Sequence, residues 1–176
     1  YERNTFNHMR YTIWTMQSVY HNTPIINGVA QKDGRQFSAE NVKYTQNNRE
    51  ARFSMDIAKA YPAEANVKTW HREMRLVRNK QVVITEDYTL SDFVNPTEIV
   101  LMTSCEVEIQ KNRLKLINEK DSYYLQFDSR KLEPVVEEII LEDPSLISFW
   151  GDKLYRIKLI IKGNSLNNKV QYTLTN

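Results

Sequence analysis

The chain has 176 residues, 41% of them hydrophobic and 26% charged, with a formal net charge of +2. That length suits one domain with a sizeable core, and the composition is that of a folded globular chain rather than a disordered one. Basic residues are spread along the whole sequence, which excludes the electrostatic footprint of a nucleic-acid binder. No apolar run approaches the roughly 20 residues of a membrane-spanning helix, so no membrane span is expected.

In chain order, the first stretch is polar, and His8 within it reads as a surface residue. Trp14 follows Tyr11 and Ile13 on an expected strand, where core packing is its natural role. Aromatic, imidazole and amide groups then crowd together in Gln17-Ser18-Val19-Tyr20-His21-Asn22-Thr23-Pro24. Pro24 disfavours a helical conformation at Thr23, so His21 is expected on extended chain. Two readings of His21 stand: a core histidine hydrogen-bonded through both nitrogens, or a site residue. Ile25-Ile26-Asn27-Gly28 reads as buried strand followed by a turn.

Period-two alternation dominates the rest of the chain. Phe53, Met55 and Ile57 alternate with Arg52, Ser54 and Asp56, and Tyr123, Leu125 and Phe127 alternate with Tyr124, Gln126 and Asp128. Tyr155, Ile157, Leu159 and Ile161 share one side of their segment, as do Val170, Tyr172 and Leu174 of theirs. Turn signals at Asn47-Asn48, Asn112, Asn118, Gly151-Asp152 and Gly163-Asn164 separate these runs. The acidic stretch from Arg130 to Pro144 reads as a solvated strand face. Short helical pieces are expected only near Ala58 to Ala65 and Ser145 to Phe149. The lone Cys105 reads as a small buried hydrophobe, since one thiol forms no internal disulfide and no cysteine zinc cluster. The expected architecture is all-β, an antiparallel sandwich over residues 1–176, with no linker to mark a domain boundary.

The phosphate-binding glycine loop, the zinc-protease helix and the hydrolase nucleophile elbow have no counterpart here. However, the stretch Arg10-Tyr11, Ile13-Trp14-Thr15-Met16-Gln17-Ser18, Tyr20-His21-Asn22, Pro24, Ile26-Asn27-Gly28 and Gln31 resembles the heparinase II/III-like polysaccharide lyases. It is similar to the point where that family's chain enters its β-sandwich. The likeness continues through Asp56-Ile57-Ala58, Ala60-Tyr61-Pro62, Trp70, Arg72, Leu76, Arg78 and Glu86-Asp87-Tyr88. It thus covers about the first half, to roughly Leu90, while the second half matches in its β pattern.

The resemblance implies a large two-sheet sandwich of the polysaccharide-lyase type, forming the C-terminal part of a protein that begins with an α/α toroid. It implies β-elimination at a uronic acid of an acidic polysaccharide, such as a glycosaminoglycan. A base removes the C5 proton, the carboxylate is neutralised, and an acid protonates the departing glycosidic oxygen. Most groups for that chemistry come from the toroid, so this chain alone is expected to be inactive. His21 matches a sandwich histidine at the cleft or at a structural metal. Where some members carry a doubled His-x-His, Val19 stands at the first position, so that catalytic histidine is absent. His21, Glu40, Asp56 and His71 are the candidate ligands of a zinc site. Tyr20, Asn22, Gln31 and Arg72 are the candidate sugar contacts, the arginine through a bidentate grip on a uronate. The alternative role for Arg72 is an ion pair with Asp56 or Glu73. Trp70, like Trp14, is expected in the core. The implied setting is periplasmic or secreted, in a bacterium. The rival readings are a carbohydrate-binding or structural sandwich module without catalytic duty, and a protein-interaction module.

Overall fold

Each alternating run becomes a strand because a pleated chain sends successive side chains to opposite faces, and only one face has a core to meet. The computed structural model describes residues 3–176. The strands are β1 (Pro24–Ile25), β2 (Glu40–Gln46), β3 (Glu50–Asp56), β4 (Val67–Val77), β5 (Gln81–Leu90) and β6 (Glu98–Thr103). They continue as β7 (Glu106–Gln110), β8 (Arg113–Ile117), β9 (Ser122–Phe127), β10 (Leu132–Ile140), β11 (Lys153–Ile161) and β12 (Asn167–Thr175). One α-helix, α1 (Pro144–Trp150), joins β10 to β11.

Two antiparallel sheets result. The small one runs β1-β6-β11-β10 and the large one β2-β3-β4-β5-β12-β9-β8-β7. This is the antiparallel sandwich that the alternation predicts. Between the sheets, Ile99, Ile157, Leu159 and Leu132 of the small sheet meet Trp70, Leu114, Leu125 and Tyr172 of the large one. Burying each such aliphatic or aromatic side chain contributes about 1.5–3 kcal/mol, which is the main cohesion of the fold. Cys105 is half-buried against this core, as expected of a small hydrophobe. The acidic stretch lies largely on β10, where Glu137 faces outward and pairs with Arg156 and Lys158.

One local expectation changes. The segment around Trp14 is not a strand. It is a chain of single 3-10 turns, Arg10–Thr12, Trp14–Met16 and Ser18–Tyr20. Its hydrogen bonds close locally, for instance from the Gln17 amide to the Trp14 carbonyl at 3.0 Å. The short helical pieces expected from Ala58 to Ala65 are two 3-10 turns, Ala58–Ala60 and Ala63–Ala65. Pro62, which lacks an amide proton and is extended at ψ 166°, separates them.

Candidate functional site

The turn chain ends at Tyr20, and His21 leaves it in extended conformation, φ −122° and ψ 166°. The segment packs against β6 on the outer face of the small sheet. Asn22 is its main anchor, and it holds both sheets. Its side-chain oxygen accepts the Met102 amide of β6 at 2.8 Å, and its carbonyl accepts Arg72 Nη1 of β4 at 2.9 Å.

Arg72 is itself held by a buried cluster. Glu86 is fully buried and accepts Trp70 Nε1 at 2.6 Å, Arg72 Nε at 2.8 Å and the Tyr172 hydroxyl at 3.1 Å. Arg72 Nη2 lies 2.7 Å from a Glu86 oxygen, but off the hydrogen-bonding direction. Burial works against the guanidinium charge, yet the Glu86 carboxylate more than offsets it and holds Arg72 firmly protonated. Burial also pushes the phenols of Tyr61 and Tyr172 well above their ordinary range, so both stay neutral donors. Tyr61 donates to the Pro24 carbonyl at 2.5 Å, a second tie between the core and the segment carrying His21.

Above this anchor lies a cleft of about 470 Å³, lined by Trp14, Tyr20, His21, Asn22, Leu146 and Trp150 among others. Trp14 meets Tyr20 edge-on, with ring centroids 5.0 Å apart. The Arg156 guanidinium sits 4.6 Å from the Tyr20 ring centroid and donates to the Val19 carbonyl at 3.3 Å, so it braces this wall from behind. Glu137 fixes Arg156 through Nε at 2.7 Å and through Nη2. Burial raises the Glu137 pKa, but Lys158 and Arg156 outweigh it and hold the carboxyl below its ordinary value.

The facing wall is α1. Asp143 caps it by accepting the Ser145 amide at 2.8 Å, Pro144 opens it, and Gly151 at φ 81° closes it. Leu146 and Trp150 are one turn apart, which places both on the cleft side. His21 contributes the cleft's imidazole ring. A carbonyl can only accept, so the 3.1 Å contact between His21 Nε2 and the Thr15 carbonyl puts a proton on Nε2. In the neutral ring, Nδ1 is then left as an acceptor, which is the form a general base needs. No Lys, Arg, Asp or Glu lines the cleft among the described residues.

The sequence matches no protein-family model and no curated protein. Solved structures do match. Against the heparan sulfate lyase HepC from Pedobacter heparinus, 95% of this chain superposes with a TM-score of 0.68 at 12% identity. The BT4657 heparinase III matches over 94% with a TM-score of 0.65 at 14% identity, and another heparinase III over 99% with 0.61 at 15%. The fold is that of a heparinase-like β-sandwich. The chain spans about a quarter of the length of those heparinases, 25% of each.

Within this heparinase-like sandwich the residues singled out from the sequence do not all converge. Tyr20, His21 and Asn22 share the cleft, although the Asn22 side chain is committed to the Met102 amide. Gln31 lies in a separate hollow beside Tyr11 and Gln17, and its carbonyl accepts the Ser18 hydroxyl at 2.9 Å. Arg72 is buried, and its ion-pair partner is Glu86 rather than Asp56 or Glu73, so it supports the cleft from below instead of meeting a uronate. Trp70 is fully buried, as expected, and stacks on Tyr88 with centroids 4.5 Å apart. Trp14 is the correction: it lines the cleft instead of filling the core.

Two of the four candidate zinc ligands, Glu40 and Asp56, are engaged by other partners. Strand register places Glu40 opposite Asp56 and Asp56 opposite His71. Yet Glu40 pairs with Lys59 at 2.7 Å, and one Asp56 oxygen accepts the Ala58 and Trp70 amides at 2.9 and 3.1 Å. His21 lies at the cleft, and no group of three metal-binding side chains occurs among the described residues. The arrangement does not fit a zinc ion. Trp150, Glu86 and the Arg156–Glu137 pair are the residues that sequence reasoning missed. The Leu146/Trp150 spacing of one helical turn was the available signal for the first.

Proposed function

We propose that this chain is the β-sandwich part of a polysaccharide lyase that, as an intact protein, cleaves a uronic-acid-containing polysaccharide by β-elimination. The observation that carries this reading is His21, presented at the wall of an aromatic cleft with Nε2 tied to Thr15 and Nδ1 open. The likeness to structures named heparan sulfate lyase and heparinase III supports it. In this reading Trp14, Tyr20 and Trp150 hold sugar rings against their faces, and His21 exchanges a proton with the bound chain. An α/α toroid of the same protein supplies the remaining acid-base and carboxylate-neutralising groups, so the sandwich alone is inactive. The intact protein works in the periplasm or outside the cell of a bacterium, where such polymers are met.

A second reading, a carbohydrate-binding module without catalysis, is favoured by one observation: the cleft is aromatic and, among the described residues, lined by no lysine or arginine. His21→Ala in the intact protein separates the two. The lyase reading expects loss of unsaturated uronate ends with glycan binding retained. The module reading expects no unsaturated ends from the unsubstituted protein.

A further inference from the structure

The outer face of the large sheet carries a second feature. Leu114, Leu125, Phe127 and Tyr172 are buried, so their strand neighbours Arg113, Gln126, Gln171 and Thr173 point to the opposite face. Register sets Gln126 between Arg113 on β8 and Thr173 on β12. Two adjoining hollows of about 630 and 510 Å³ meet at Gln126 and Phe127 and form one trough. Lys111 and Arg113 line the first, and Lys131 and Lys169 line the second.

These cations are largely uncommitted. Arg113 donates Nε to the Gln110 side chain at 2.6 Å and lies 4.4 Å from the Tyr124 ring centroid, so its planar head is held in place without a carboxylate. Lys131 donates to the Lys169 carbonyl at 2.8 Å and interacts electrostatically with Asp128, while Lys169 pairs with Asp87 at 3.2 Å. Asp128 is the one carboxylate lining the trough among the described residues, and Arg130 neutralises it through contacts at 3.0 and 2.8 Å. Amide side chains fill the floor between the charges.

We propose that this trough is a second glycan-binding surface that takes a stretch of acidic polysaccharide, with Lys111, Arg113 and Lys131 on its carboxylates or sulfates and Gln126 and Gln171 on its hydroxyls. Naming the polymer a polysaccharide rests on the function proposed above. The chemistry of the trough agrees: single-stranded nucleic acid needs open aromatic faces, whereas Tyr124 is covered by Arg113 and Phe127 is buried. The trough lies on the outer face of the large sheet and the cleft on that of the small sheet. The trough therefore grips the polymer away from the reacting unit and lengthens its stay on the protein.

The test is calorimetric titration of this chain with size-defined heparin oligosaccharides, comparing two charge-matched triple variants. One is Lys111→Ala/Arg113→Ala/Lys131→Ala. The control is Lys43→Ala/Arg78→Ala/Lys80→Ala, on edge strand β2 and the β4–β5 turn, strands away from the trough. All are exposed residues, and thermal melts verify folding. The trough triple is expected to weaken binding by about tenfold or more, the scale of one or two charge-assisted contacts, and the control by less than about twofold. Equal losses in both variants, or no binding by the unsubstituted chain, overturn the proposal. So does equally tight, trough-dependent binding of single-stranded DNA or phosphatidylserine vesicles. The proposed function fails separately: trough-dependent binding without unsaturated ends from the intact protein rejects the lyase and leaves the trough. Unsaturated ends with unchanged binding by the trough triple do the reverse.

Discussion

The cleft on the small sheet and the trough on the large sheet are built on opposite principles. The cleft is walled by Trp14, Tyr20 and Trp150, has no lysine or arginine in its lining among the described residues, and is fixed from below through Asn22. The trough displays Lys111, Arg113 and Lys131 on exposed strand and turn positions with only local support. Stacking surfaces need a fixed geometry, because the gain falls away once the rings tilt. Long-range attraction needs charge but tolerates loose side chains. The difference shows why a buried ion pair, Arg72–Glu86, lies under the first region, while surface lysines suffice for the second.

The largest way to break the comparison is Glu86→Ala. It strands Arg72 as a buried charge without its partner, and we expect a loss of about 3–5 kcal/mol in chemical denaturation. Because Arg72 also holds the Asn22 carbonyl, the cleft should loosen while trough binding, measured well below the melting midpoint, stays unchanged. Trp150→Ala is the next largest. Trp150 is half-exposed on a short helix, so folding should be preserved, while glycan binding at the cleft weakens by about 0.5–1.5 kcal/mol in titration. Ionic strength sharpens the contrast further. Moving from about 0.05 M to about 0.5 M salt should weaken the trough several-fold and leave the cleft nearly unaffected, since screening acts on exposed charges.

The smallest effect concerns pH. The folded-state pKa of Glu137 lies below its ordinary value of 4.5, because Lys158 and Arg156 outweigh the opposing effect of burial. The stability it contributes is therefore fully present above pH 4.5 and is lost as pH falls through the lower folded value. Thermal melts of the parent chain and Glu137→Gln should differ at neutral pH and converge in that acid window. A constant difference across the window would remove Glu137 as the titrating brace of Arg156 and the Tyr20 wall.

The strands were legible in the sequence because alternation is a local signal. Phe53 to Ile57 and Tyr155 to Ile161 each show in a few residues which face is apolar. The turn chain around Trp14 was not legible, since Ile13-Trp14-Thr15-Met16 has the composition of a strand and its local hydrogen bonds leave no mark of their own. His21 stood out through its neighbours, and the extended conformation followed from Pro24. The partner of Arg72 could not be read. Arg72 and Glu86 meet only because β4 and β5 pair in one register, and a slip of one residue would have sent Glu86 to the solvent face. The surroundings of the candidate zinc ligands could not be read for a related reason: Glu40, Asp56 and His71 line up across strands, but lysine and amide partners take up the carboxylates.

The most direct test of the lyase reading is the ultraviolet absorbance of unsaturated uronate ends, followed while the intact protein and its His21→Ala variant act on acidic polysaccharides. The intact protein is expected to generate the signal, and His21→Ala to lower it by about a hundredfold or more without unfolding, while this chain alone generates none. A signal from this chain alone, or full activity in the folded His21→Ala variant, would contradict that reading.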